Sequence, residues 1–235
     1  ATGGHSSAPP PETGVEVLAR AVLAITGEPF PLEFKGSAAD MVRALAPDAP
    51  LLVRVAVANE WLFRPLLVRQ IAATPAGAAT LHTTIAPTML RGSPKENVLP
   101  QDATAWINYR IAPGHTAAAV LEHAQQATRR LDVQLAWEKP PNDPPPVSSA
   151  TSPAFRLIAT LAADGGRTPV APGLVTATTD SRSFVGVARD IYRFQPIVAS
   201  MREFEMIHGT NEHMTLENLG RMTDFYSRLI ATAAR

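Results

Sequence analysis

Between Lys139 and Val147 the chain reads Pro-Pro-Asn-Asp-Pro-Pro-Pro, five prolines in seven residues. Proline has no amide hydrogen and a fixed φ, so such a run continues neither a helix nor a central strand. It favours an extended, semi-rigid connector. Residues 140–146 are therefore read as a linker between a unit spanning 1–139 and a unit spanning 147–235. The 22 prolines of the whole chain argue in the same direction, for many short elements rather than a long helical bundle.

Composition narrows the possibilities. At 235 residues with 46% apolar content, the chain can bury the core of one large or two medium domains. Lys and Arg total 21 against 21 for Asp and Glu, which gives no electrostatic case for nucleic acid or an anionic membrane as partner. No run of about 18 apolar residues is present to span a bilayer. The absence of cysteine removes disulfides and thiolate metal ligands, and leaves the redox compartment open. The first residues, ATGGHSS, have neither the basic nor the apolar segment of a signal peptide, and they open in mid-motif without Met. The expectation is a fragment or a processed product.

In the first unit, Thr13 and Glu16 have capping-box spacing, and Val15, Leu18, Val22 and Ile25 recur at helical spacing after them. Residues 37–80 read as a helical insertion, with helices at Met41–Ala46 and Trp61–Ala73 broken by Pro47, Pro50 and Pro75. Strands are expected at Leu81–Leu90 and Ala103–Ile111. The second alternates Ala105, Ile107, Tyr109 and Ile111 against Thr104, Trp106, Asn108 and Arg110. A helix from Thr116 and a strand at Val133–Trp137 close the unit. The order is a ferredoxin-like βαββαβ pattern without its first strand.

In the second unit, Ser152-Pro153 is an N-cap and N1 pair ahead of Phe155, Ile158 and Leu161. Short strands are expected at Leu174–Thr178 and Ile191–Phe194, with a short helix starting at Thr179-Asp180-Ser181-Arg182. A last helix capped by Thr215 is expected to bury Leu216, Leu219, Met222, Phe225 and Ile230. Alternating helices and strands imply an α/β layer, and about 90 residues are few for a self-sufficient open sheet.

Five residues stand out chemically. His208, in Ile-His-Gly-Thr-Asn-Glu ahead of the last helix, can ligate a metal through a neutral ring nitrogen or be a loop histidine bonded to backbone. No HxD, HExxH or Glu-Glu motif accompanies it, and zinc needs three or four ligands. His5 sits among Gly3, Gly4, Ser6 and Ser7, where it can polarise a carbonyl or simply occupy a turn. Arg182 offers a guanidinium fork to a carboxylate, or an ion pair to Asp180. Asn97 can supply an amide to a ligand and Arg110 can hold a carboxylate, although an arginine on a sheet face is commonplace.

The stretches GGHSSAPPPETGV, TTIAPTMLRGSPKENVLPQDATAWINYRIAPG, TTDSRSF with DIYRFQPI, and IHGTNEHMTLENLGRMTDFYSRLI together resemble the di-zinc aminoacylase and carboxypeptidase family of metallopeptidases. The likeness is greatest to its Gly-X carboxypeptidase and N-acyl amino acid hydrolase branch. It implies a ferredoxin-like lid that also forms a homodimer, followed by the C-terminal part of an α/β zinc-peptidase catalytic domain. The family's HxD motif, bridging Asp, Glu-Glu pair and following acidic ligand are not in this chain. Carried over by likeness, His208 is the last zinc ligand and His5 reaches the partner subunit's active site to stabilise an oxyanion. Asn97 contacts substrate, Arg182 grips the substrate carboxylate, and Arg110 is a weaker match for the same task. The implied enzyme binds two zinc ions, of which these residues supply at most one ligand, and acts on a small peptide or an N-acyl amino acid. The isolated chain is then expected to be inactive and to lack the N-terminal half of the catalytic domain. The rival expectation is a non-catalytic dimerisation or small-molecule-binding module.

Overall fold

The computed structural model describes residues 2–177 and 179–234. In chain order the elements are β1 (Gly4–His5), α1 (Gly14–Gly27), α2 (Gly36–Leu45), a 3-10 turn (Ala46–Asp48), α3 (Leu51–Ala58), α4 (Glu60–Ile71) and α5 (Pro75–Ala79). They continue with β2 (Thr84–Arg91), β3 (Val98–Leu99), β4 (Thr104–Arg110), α6 (Ala117–Thr128) and α7 (Pro153–Ala162). A 3-10 turn (Asp180–Phe184), α8 (Met201–Glu205) and α9 (Leu216–Ala233) complete the chain. Two compact units emerge: residues 1–34 with 64–146, and residues 35–63 with 147–235.

In the first unit the capping box forms as its spacing requires. Thr13 accepts the amide of Glu16, and the Glu16 carboxylate accepts the amide and hydroxyl of Thr13 at 2.7 and 2.8 Å. Helix α1 buries Ala21 and Ile25 and packs against α6 and the β2–β4 pair. That pair is antiparallel, from Thr84 opposite Arg110 to Arg91 opposite Thr104. Its register slips between Pro87 and Met89, where Pro87 has no amide hydrogen to give the ladder. Helix α6 is N-capped by Thr116 and buries Val120, Ala124 and Thr128. Thr83 joins the layers: its hydroxyl accepts the Ala112 amide at 3.0 Å and lies 2.8 Å from His115 Nδ1.

The strand expected at Val133–Trp137 does not form, because no ladder partner lies beside it among the described residues. Glu138 just after the segment accepts the indole N–H of Trp106 at 3.0 Å. The four described strands make two separate two-stranded sheets, β1 with β3 and β2 with β4. The helical insertion contains two more helices than the sequence predicts there: α3, which begins directly after Pro50, and α5, which begins at Pro75.

In the second unit Ser152 caps α7 by accepting the Phe155 amide, and Thr215 caps α9 by accepting the Asn218 amide. Helices α7 and α9 pack together. The strands expected at 174–178 and 191–194 are absent from the described residues, Thr178 itself lying outside them. Side chains take the place of a ladder along residues 191–194. The Ser148 hydroxyl bonds both the amide and the carbonyl of Ile191 at 2.7 and 3.0 Å, and the Tyr226 hydroxyl donates to the Phe194 carbonyl at 2.8 Å. The stripe expected to be buried on the last helix is mostly open: Phe225 is 5% exposed, but Leu216 is 86% and Ile230 68% exposed. Helical spacing identifies a face, and only a neighbouring surface can bury it.

Candidate functional site

The first unit brings together two residues distant in sequence. Strand β1 pairs antiparallel with β3, placing Gly4 opposite Leu99 and His5 opposite Val98. The Ser6 amide then donates to the Asn97 carbonyl at 3.1 Å, so the histidine loop and the asparagine turn are stitched edge to edge. The turn is built locally by Ser93, whose hydroxyl accepts the Lys95 amide. Gly3 permits the close approach, since a β-carbon there would lie 2.7 Å from Gln101 Cγ and 3.1 Å from the Leu99 carbonyl oxygen.

The same loop selects a tautomer for His5. Its Nδ1 accepts the backbone amide of Ser7 at 3.2 Å and lies 2.8 Å from the Ser7 hydroxyl. A backbone amide can only donate, so Nδ1 is the acceptor and the neutral ring carries its proton on Nε2. The exposed imidazole therefore presents a donor N–H outward. Arg110 closes β4 opposite Thr84, exposed on the sheet face.

In the second unit Arg182 lies in the 3-10 turn Asp180–Phe184, exposed to solvent. The ion pair with Asp180 that its spacing allowed does not form among the described residues. The turn is braced from outside. Arg193 Nε donates to the hydroxyl oxygens of Ser181 at 2.7 Å and Thr179 at 3.2 Å, and those two hydroxyls lie 2.5 Å apart. Sequence reasoning missed Arg193. The available signal was its place within an apolar segment, alternating with Tyr192 and Phe194.

His208 follows α8, whose N-terminus is a second capping box: the Glu203 carboxylate accepts the amide and hydroxyl of Ser200. The backbone bond from Ser200, then its hydroxyl, hold that carboxyl below its ordinary range. His208 and Asn211 both take the left-handed conformation, φ 64° each, which disfavours side chains other than glycine. The His208 amide donates to the Glu212 carboxylate at 3.1 Å, and the Gly209 amide to the Met206 carbonyl at 2.8 Å. The ring itself is exposed. Among the described residues no group of three or more His, Cys, Asp or Glu is placed to hold a metal ion.

Comparison with known proteins identifies the family. Residues 2–135 match the M20 peptidase dimerisation domain. The chain belongs to the M20 peptidase family. It is 36% identical over 230 residues to the N-fatty-acyl-amino acid synthase/hydrolase PM20D1 of Xenopus tropicalis, covering 97% of this chain and 45% of that protein. It is 34% identical over 239 residues to the human protein of that name, covering 99% of this chain and 47% of the relative. The probable carboxypeptidase S-like 2 of Dictyostelium discoideum is 31% identical over 229 residues, 97% of this chain and 44% of that protein. Among solved structures, an M20 family metallo-carboxypeptidase from Sulfolobus solfataricus superposes with a TM-score of 0.48 at 17% identity, over 80% of this chain and 52% of its own. The chain thus spans about half the length of the curated relatives it matches.

Proposed function

We propose that this chain is part of a zinc-dependent hydrolase that cleaves an amide bond next to a free carboxylate, a carboxypeptidase or N-acyl amino acid amidohydrolase. The observation that carries the proposal is the His5 loop. Its Ser7 amide fixes the outward Nε2–H, and its backbone is tied to the Asn97 turn, inside the segment matching the peptidase dimerisation domain. In this reading His5 donates from Nε2 to the substrate carbonyl oxygen as negative charge develops there. One such donor is worth about 10²- to 10³-fold in rate. The Asn97 amide contacts substrate beside it. Arg182 takes the substrate carboxylate bidentately, with Arg110 a weaker candidate for the same contact.

The residues present do not make a metal centre. His208 is an exposed imidazole, and among the described residues no group of three or more His, Cys, Asp or Glu is placed with it to hold a metal ion. We assign His208 as one ligand of a site that polypeptide beyond these residues completes, with two zinc ions in the complete enzyme. Residues 1–139 serve as a lid that dimerises and lends His5 to the partner's site. The lid becomes ferredoxin-like when a further strand pairs with residues 133–137. Residues 147–235 belong to the catalytic domain.

The test is metal content and activity of the purified 235-residue chain. Less than stoichiometric zinc and no hydrolysis of acyl-amino acids are expected. Tightly bound stoichiometric zinc with hydrolysis would overturn the reading. In the full-length enzyme, mixing a His5→Ala subunit with a metal-site variant should restore activity. Failure of the pair to complement rules out donation across the interface.

A further inference from the structure

We infer that Arg193 is a positioning residue for the Arg182 turn, holding the carboxylate-recognising guanidinium in place through the hydroxyls of Thr179 and Ser181; this rests on the assignment of Arg182 as the carboxylate clamp. The Asp180–Phe184 turn has little of its own to fix it. It is short, its Phe184 and Val185 are exposed, and its N-terminal backbone bond, from the Arg182 amide to the Thr179 carbonyl, is long at 3.3 Å. Thr179 occupies the N-cap position but makes no side-chain cap bond. Its hydroxyl is turned instead toward Ser181 and Arg193.

The support beneath Arg193 is firm. The residues on either side of Arg193 are each anchored by side-chain bonds or ring contacts. Tyr192 and Phe194 face the helices. The Tyr192 hydroxyl donates to the Ser149 carbonyl and contacts Ser152, each at 2.6 Å, and its ring lies 5.7 Å from Phe155. The Phe194 ring lies 5.1 Å from Phe225. Arg193 lies between these two anchored residues and reaches the turn with Nε. A rigid segment thus sets the place of a loop that carries a substrate-binding cation, an arrangement that fixes the geometry of a first-contact residue through its neighbours.

The experiment measures kcat and KM of the full-length enzyme on a pair of substrates differing only at the terminus, a free acid and its amide. Arg193→Ala should lower the acid-over-amide preference by about tenfold, through KM for the acid, with the amide reaction unchanged. Arg193→Lys, which keeps a donor for both hydroxyls, should restore most of the preference. Ser181→Ala removes the nearer acceptor and should lower the preference in the same sense. If Arg182→Lys collapses the preference while the Arg193 and Ser181 variants leave it intact, or slow both substrates equally, the inference fails and the clamp stands. If Arg182→Lys leaves the preference untouched, the clamp fails and the inference with it.

Discussion

Replacing Thr83 by valine should cost the first unit about 2–4 kcal/mol. Thr83 is fully buried, and valine has the same shape without the hydroxyl. That hydroxyl accepts the Ala112 amide at 3.0 Å and can donate to His115 Nδ1 at 2.8 Å, leaving the other ring nitrogen 3.4 Å from the Glu33 carboxylate. The substitution orphans an amide at the β4–α6 corner, at about 1–3 kcal/mol, and removes a second bond worth about 0.5–1.5 kcal/mol. Thr83→Ser is the control: it keeps both bonds and loses one buried methyl, about 1 kcal/mol. Because the chain has two units, unfolding must be followed locally. With Trp61 replaced by Phe, the remaining Trp106 and Trp137 both report on the first unit in a urea titration monitored by fluorescence. If valine proves no more destabilising than serine, the buried hydroxyl network does not hold the corner together, and the reasoning is refuted.

Two further outcomes are expected. Asn218, 7% exposed, clamps Val198 at two points, its side chain accepting the Val198 amide and donating to the Val198 carbonyl at 2.9 Å each. Asn218→Ala should cost about 1–2 kcal/mol, because water reaches exposed Val198 and replaces part of what is lost; a neutral result by thermal denaturation contradicts the clamp. Glu16 is held below its ordinary value of 4.5 by the backbone bond from Thr13, then by the Thr13 hydroxyl. A depressed folded pKa stabilises above the usual carboxylate range and loses that contribution as pH falls through the folded value. The stability gap between wild type and Glu16→Gln should therefore narrow on acidification from neutral pH to about pH 3, and a gap independent of pH speaks against the capping box.

The caps at Thr13, Ser152 and Thr215 were legible in the sequence because each involves groups within four residues, and all three accept the amides that their spacing assigns. The chemistry of the His5 loop was legible in part. Glycines and serines around a histidine indicate a close-approach loop, but its tautomer came from a bond to Ser7 that only coordinates reveal. The segments 133–137 and 191–194 were expected as strands and formed none, since pairing depends on a neighbour that no local pattern encodes. Leu216 and Ile230 carry the spacing of a buried face and remain in solvent for the same reason. Local order follows from short-range steric and hydrogen-bonding preferences, which travel with the residues themselves. The joining of His5 to the Asn97 turn, and of Arg193 to the turn bearing Arg182, required the chain to return on itself, and tertiary structure alone decided both.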